Sequence, residues 1–176
     1  MQVGLAGVER VALSAHQDDR GLLAEVYREE WLGDRPAMVQ ANISRSKKGV
    51  LRGLHFHRLQ ADYWVVLSGK VFVGLFDLRE GSPTFRRSDQ VEVGPDLVGL
   101  YLPPGIAHGY YALEDSTVLY FVDRYFTGED EFGVAWDDPE IRIEWPERKP
   151  VLSDRDRSNP QLAEALKSAP AYQALR

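Results

Sequence analysis

Residues 49–69 read GVLRGLHFHRLQADYWVVLSG, and this stretch decides the fold. It carries His55 and His57, two of the chain's four histidines, inside a run rich in Val, Leu, Phe, Tyr and Trp. Such composition favours strands. Residues two apart on a strand share a face, so His55 and His57 point one way and Phe56 the other. Two imidazoles on one face of an apolar sheet need polar partners. Ser68-Gly69 reads as the turn of a hairpin to the next strand.

Working outward, turns and short strands continue. Val50–His57, Asp62–Leu67, Lys70–Leu78, Thr84–Val93, Leu97–Leu102, Ala107–Leu113 and Ser116–Val122 all read as strands. On the N-terminal side, Met38–Ser44 reads as a strand and 45–49 as a loop. Asp18-Asp19-Arg20-Gly21 is a turn, and 22–31 a strand running into a short helix that stops at Gly33. Val3–Leu13 alternates loosely, as an edge strand or arm does. Near the C-terminal end, Asn159 as cap and Pro160 at the first helical position predict a short helix over 161–167. Many short strands and little helix predict an all-β jelly-roll barrel or sandwich with short peripheral helices. The expected division is one domain over 1–176: an arm about 1–48, a barrel about 49–125 and an extension about 126–176.

The bulk properties bound the function. With 176 residues the chain suits one domain with a real core. Hydrophobic residues make up 44% and charged residues 27%, a globular balance. The formal net charge of -6 argues against nucleic acid or an anionic membrane as partner. There is no cysteine, hence no disulfide frame, thiolate nucleophile or thiolate-bound zinc. No segment reads as a signal peptide or membrane span, so the expectation is a soluble cytoplasmic protein.

Two spaced patterns carry chemistry. Gly49, His55-x-His57, Asp62 and Gly69 form the first; Pro103-Pro104-Gly105-Ile106-Ala107-His108 forms the second. Together they resemble the paired motifs of cupins. That resemblance implies a metal set of His55, His57, Asp62 and His108, with Asp62 in a place usually held by Glu. The Asn that usually follows the second motif is absent, since Ala112 stands there. A lone histidine pair is more often structural; the glycines at matching distances weaken that reading.

A further resemblance spans most of the chain. It rests on Asp19-Arg20-Gly21 with Glu25, Gln40-Ala41-Asn42, Gly49 to Phe56, Asp77 to Phe85, Pro104 to Gly109, Val118-Leu119-Tyr120, Trp136 to Pro139, Ile143 to Pro146 and Leu152 to Arg157. In this order they are similar to the dTDP-4-dehydrorhamnose 3,5-epimerase family, itself cupin-like. The resemblance implies an isomerase whose substrate is a dTDP-linked 4-keto-6-deoxysugar. It implies His55 as catalytic base, Asp156 as its orienting partner and Tyr120 as acid. Arg20, Glu25, Gln40, Asn42, Arg52 and His108 fall at substrate-holding positions. It implies no cofactor, and a homodimer in which an N-terminal strand crosses to the partner. Without the resemblance, Arg20 and Glu25 read as surface charges and Tyr120 as a core aromatic.

The chain also departs from that family. Where the family shows Gln, His57 stands; where it shows Lys, Asp62; where it shows Asp, Val73. The lysine would hold the anion that develops on the sugar, and a carboxylate reverses that charge. Unit charges ~4 Å apart at an effective dielectric of ~20 interact by about 4 kcal/mol. That is on the order of a thousandfold in rate. Asp62 therefore points away, or it is neutralised, and one divalent transition metal on the His55/His57/Asp62/His108 set would neutralise it. A metal-bound His55 nitrogen cannot also act as base, so the two roles compete. Three readings follow: a metal-independent epimerase, a metal-dependent cupin enzyme, or a non-catalytic sugar-nucleotide-binding protein.

Overall fold

The computed structural model describes residues 4–173. The chain runs through β1 (Glu9–Ala12), β2 (Ala15–Asp18), β3 (Gly21–Ala24), a 3-10 turn (Glu29–Leu32), β4 (Gln40–Ser46), β5 (Leu51–Phe56) and β6 (Asp62–Ser68). It continues through β7 (Val71–Asp77), β8 (Ser88–Val93), β9 (Val98–Leu102), β10 (Ile106–Ala112), β11 (Ser116–Val122) and β12 (Phe132–Gly133). Two short helices follow, α1 (Asp154–Arg157) and α2 (Leu162–Ala165).

Ten of these strands make two five-stranded antiparallel sheets, in the orders β1-β9-β6-β11-β4 and β12-β5-β10-β7-β8. Among the described residues, the remaining two, β2 and β3, pair only with each other. The jelly roll expected from the sequence is what forms. Its inner core joins Val66, Leu100, Leu102 and Val118 of the first sheet to Val71, Val73, Leu75 and Ile106 of the second. Strand alternation then gives each sheet a second buried face. On β6, Tyr63 and Val65 turn outward under Leu32, with Val11 and Tyr27 packed alongside. On β5, Leu54 and Phe56 turn outward onto Val134, Ile141 and Leu162 of the C-terminal segment. Apolar cover on the outside leaves the inner face of β5 for His55.

Several local expectations change. The Ser68-Gly69 turn is not a hairpin: β6 lies in the first sheet and β7 in the second. The chain crosses from sheet to sheet there, with Gly69 at φ +72° and Asp115 O 2.3 Å from where a Cβ would stand. A turn signal fixes a reversal of direction and not the partner of the strand that follows. β4 runs on through Ser46, so the loop is shorter than 45–49. Residues 84–87 stay outside β8, which starts at Ser88. β1 occupies Glu9–Ala12 of the expected 3–13 arm and pairs with β9 of its own chain; Val3 lies outside the described residues. The helix expected over 161–167 forms as α2 plus a 3-10 turn at Leu166–Ser168, with Gln161 at the cap position and no side-chain cap bond. Asp138 Oδ2 instead accepts from the Leu162 amide at 2.8 Å. The Asn159 amide is drawn away to the Leu54 carbonyl, 3.4 Å.

Candidate active site

A cavity of about 480 Å³ opens between the sheets, walled by β4, β6 and β11 on one side and by β5 and β10 on the other. His55 and His57 both line it, as the shared face predicts. Asp156 reaches it from α1. α1 itself is capped by Ser153, whose Oγ accepts from the Asp156 amide at 3.1 Å. That cap fixes the turn from which the Asp156 side chain leaves.

His55 Nε2 lies 2.6 Å from Asp156 Oδ1. Asp156 Oδ2 accepts from the Gly53 amide at 3.4 Å. Burial pushes the Asp156 carboxyl up, but its bonds to His55 and Gly53 together hold it below the ordinary carboxylate value. The carboxylate therefore stays charged and orients the imidazole, leaving Nδ1 as the ring's other working atom. Gly53 permits the close approach of β5 to β10. Its φ is +122°, and a Cβ there would stand 2.7 Å from Gly109 Cα.

Tyr120 comes from β11 and lies across from Asn42 and Trp64 in register. Burial and then the Asp62 charge push its phenol up, so it keeps its proton at neutral pH. Gln40 donates to Asn42 Oδ1 at 3.0 Å and accepts from the Phe126 amide at 3.1 Å, which fixes both amides on the wall. Arg52 donates to Ser46 Oγ at 2.8 Å and to the Arg45 carbonyl at 3.2 Å. Its guanidinium is anchored at the cavity edge with donors to spare.

The structure brings His55, Asp156, Tyr120, Gln40, Asn42, Arg52 and His108 around one cavity. Arg20 and Glu25 do not join them. Arg20 sits in the β2-β3 turn, where the Asp18 carboxylate accepts from its amide and guanidinium, and Glu25 pairs with Arg28 at 2.7 Å. His55 also leaves the four-residue metal set. The remaining three, His57, Asp62 and His108, form a buried group whose ligand atoms all lie within 4.8 Å of one another. Burial drives the His108 imidazole down to about 4, against the pull of Asp62, so it is neutral at physiological pH.

Sequence reasoning missed Asp130. Its carboxylate accepts from the amides of Arg58, Leu59 and Gln60 at 2.8, 2.9 and 3.0 Å, and its carbonyl from His57 Nδ1 at 2.7 Å. It shapes the loop that holds His57. Glu131 and Arg155, an ion pair at the cavity mouth, were also missed. Nothing in the spacing marks Asp130 or Glu131; Arg155 lies inside the Leu152–Arg157 motif but carries no expected role.

Fold and site together define a cupin-like barrel with a histidine–carboxylate dyad on its inner wall. The sequence model described as dTDP-4-dehydrorhamnose 3,5-epimerase matches residues 2–164, and the chain belongs to that family. A Streptomyces griseus protein named dTDP-4-dehydrorhamnose 3,5-epimerase is 40% identical over 159 residues, 85% of this chain and 80% of that protein. Among solved structures, the Mycobacterium tuberculosis rmlC epimerase superposes with a TM-score of 0.90 at 35% identity, covering 98% of this chain and 94% of its own. A 3'-monoepimerase from Streptomyces bikiniensis in complex with dTDP-quinovose gives 0.90 at 32% identity, covering 98% and 93%.

Proposed function

We propose that the protein epimerises a dTDP-linked 4-keto-6-deoxysugar next to the ketone, at C3, C5 or both. The observation that carries this is the His55–Asp156 contact on the cavity wall, 2.6 Å, opposite a protonated phenol. The ketone at C4 acidifies the neighbouring C–H bonds. His55 removes one of those protons, and the electron pair moves onto the ketone oxygen as an enolate. Asp156 stabilises the imidazolium that results. Tyr120 then gives its proton to the opposite face of the same carbon, and the enolate collapses back to the ketone. Solvent returns the proton to Tyr120, and His55 releases its own. Base, orienting carboxylate and acid are all side chains, so the proton transfers call for no organic cofactor. Arg52, with Gln40 and Asn42, supplies donors for the diphosphate and sugar oxygens.

The working unit is a homodimer. Among the described residues, the β2-β3 hairpin joins no other strand, and it exposes Leu22 and Leu23, 57% and 71% accessible. It carries Arg20 at its turn and Glu25 just beyond its end, neither of them at the chain's own cavity. Laid against a second copy, the hairpin buries its leucines and delivers Arg20 and Glu25 to that copy's cavity. No helix among the described residues is long and apolar enough to cross a membrane.

The test is solvent exchange. Incubated in deuterium oxide with a dTDP-4-keto-6-deoxysugar, the protein is expected to place deuterium at C3 or C5. Binding of the nucleotide sugar with no exchange at either carbon overturns the reading.

A further inference from the structure

The proton transfers leave a buried group unexplained. His57 stands just past β5, Asp62 opens β6 and His108 lies in β10. Nε2 of His57 is 3.7 Å from Asp62 Oδ1, and Nε2 of His108 is 3.7 Å from Asp62 Oδ2. All three side chains are nine-tenths or more buried.

The other ring nitrogens decide what these Nε2 atoms are. His57 Nδ1 lies 2.7 Å from the Asp130 carbonyl oxygen, and His108 Nδ1 lies 2.8 Å from the Ile106 carbonyl oxygen. A carbonyl only accepts, so both Nδ1 atoms carry protons and donate. Each Nε2 is then the remaining ring nitrogen, and it faces the carboxylate. Asp62 receives hydrogen bonds from the Gln60 amide at 2.9 Å and the Trp64 indole at 3.1 Å, both uncharged. A buried carboxylate thus has two imidazole nitrogens turned toward it, and buried charges are paired or coordinate metals.

A proton does not suit the gap. A charge-assisted bond would draw nitrogen and oxygen to about 2.7–2.9 Å. The chain makes such a contact between His55 and Asp156, 2.6 Å, yet both nitrogens facing Asp62 stop at 3.7 Å. A metal ion about 2.0–2.2 Å from each ligand atom spans that separation. The donated Nδ1 protons are also what orients and strengthens imidazole ligands.

We propose that His57, Asp62 and His108 bind one divalent first-row transition ion, with its open positions facing the cavity. Two imidazoles and a carboxylate favour such an ion over calcium or magnesium, which take oxygen ligands. Three protein ligands leave room for a water or a substrate oxygen. His55 lies outside the set because its Nε2 is held by Asp156, so base and metal ligands no longer compete. The ion would set a positive charge where Asp62 alone sets a negative one, available to a sugar oxygen. This deepens the epimerase reading, but occupancy of the site can be measured without it.

Tag-free protein is stripped with a chelator, dialysed, and titrated with Co(II) or Zn(II) alone. About one ion per chain is expected, with a thermal midpoint that rises on binding. His57→Gln and Asp62→Asn are expected to weaken binding by more than ~100-fold, with the folded state of each checked by circular dichroism. His55→Asn is expected to keep the ion. Should a buried variant fail to fold, the wild-type stoichiometry and the cobalt absorption spectrum, read for nitrogen ligands, decide the matter. No binding above background, undiminished binding in both folded variants, or loss of the ion in His55→Asn overturns the site. Solvent exchange in a protein that takes up no metal overturns the site and leaves the epimerase reading standing. Metal uptake without exchange does the reverse.

Discussion

His55 Nε2 and Asp156 Oδ1 meet at 2.6 Å although 101 residues separate them. Only Nδ1 of the ring is left for chemistry, and the carboxylate sets where it points. Replacing Asp156 with Asn keeps the shape, loses the charge and allows the wrong tautomer. We expect kcat to fall by about 10²–10⁴, with KM changed far less. His55→Asn should fall at least as far. Full activity in either variant, measured by progress-curve kinetics, would remove the dyad from the mechanism.

Tyr120 holds its proton through burial and the nearby Asp62 charge, which suits it to the return step. Tyr120→Phe should therefore separate two rates. Deuterium wash-in at the carbon facing His55 continues, since the base is intact. Inversion drops by roughly 10²-fold, the usual size of a general-acid contribution. Nuclear magnetic resonance of the sugar reads both, and an equal fall in the two would deny Tyr120 the acid role.

If Arg20 and Glu25 serve a partner's cavity, two dead variants should rescue each other. Take His55→Asn, and Arg20→Ala combined with Glu25→Ala. Mixed and allowed to exchange subunits, they form heterodimers in which one of the two sites has every residue. Random pairing returns about a quarter of wild-type activity. Recovery no greater than the sum of the parents would mean that the hairpin serves its own chain or none.

Gly53 faces Gly109 across the β5-β10 contact, and a Cβ would stand 2.8 Å from the His108 carbonyl as well. With φ at +122°, alanine is strained there whatever the space. Gly53→Ala should cost roughly 2–4 kcal/mol of stability, by urea denaturation. It should also slow the enzyme, since the Gly53 amide holds Asp156 Oδ2. An unchanged midpoint would show that the two strands have room to part.

Asp77 is fully buried and accepts from Arg79, Ser82 and Thr84, at 2.8, 2.6 and 2.6 Å. Burial alone would raise its carboxyl, yet these bonds bring it below the ordinary carboxylate value. A depressed carboxyl stabilises the fold above its unfolded value and loses that contribution as the pH falls through its folded one. Acid unfolding should therefore begin below about pH 4 and lose part of its pH dependence in Asp77→Asn. That variant should itself lose about 3–5 kcal/mol, because it leaves Arg79 buried without its partner. A variant as stable as the parent would mean that Arg79 finds another anion.

The strands were legible where β-favouring side chains and turn residues agreed, as in the expected Asp62–Leu67, which forms as Asp62–Ser68, and in Ser116–Val122. Sheet membership was not. Ser68-Gly69 looks the same before a hairpin partner and before a strand in the facing sheet, because nothing local encodes the contact with Asp115. In the candidate site, the shared face of His55 and His57 followed from a period of two. Which of them could bind metal did not, since the answer lies in Asp156 and in the Asp130 carbonyl, each far along the chain. Arg20 and Glu25 show a different limit. Sequence motifs mark them for a cavity that their own fold does not let them reach.

The distance in sequence between His55 and Asp156 also sets a timetable. A ribosome delivers both sheets, and with them the cavity walls, before it delivers α1. A nascent chain halted after Val122 has β4, β5, β6, β10 and β11, the strands that wall the cavity, but lacks the Asp156 that holds His55 Nε2. The walls are made first and the carboxylate that holds His55 last, so the dyad closes only after the cavity walls exist.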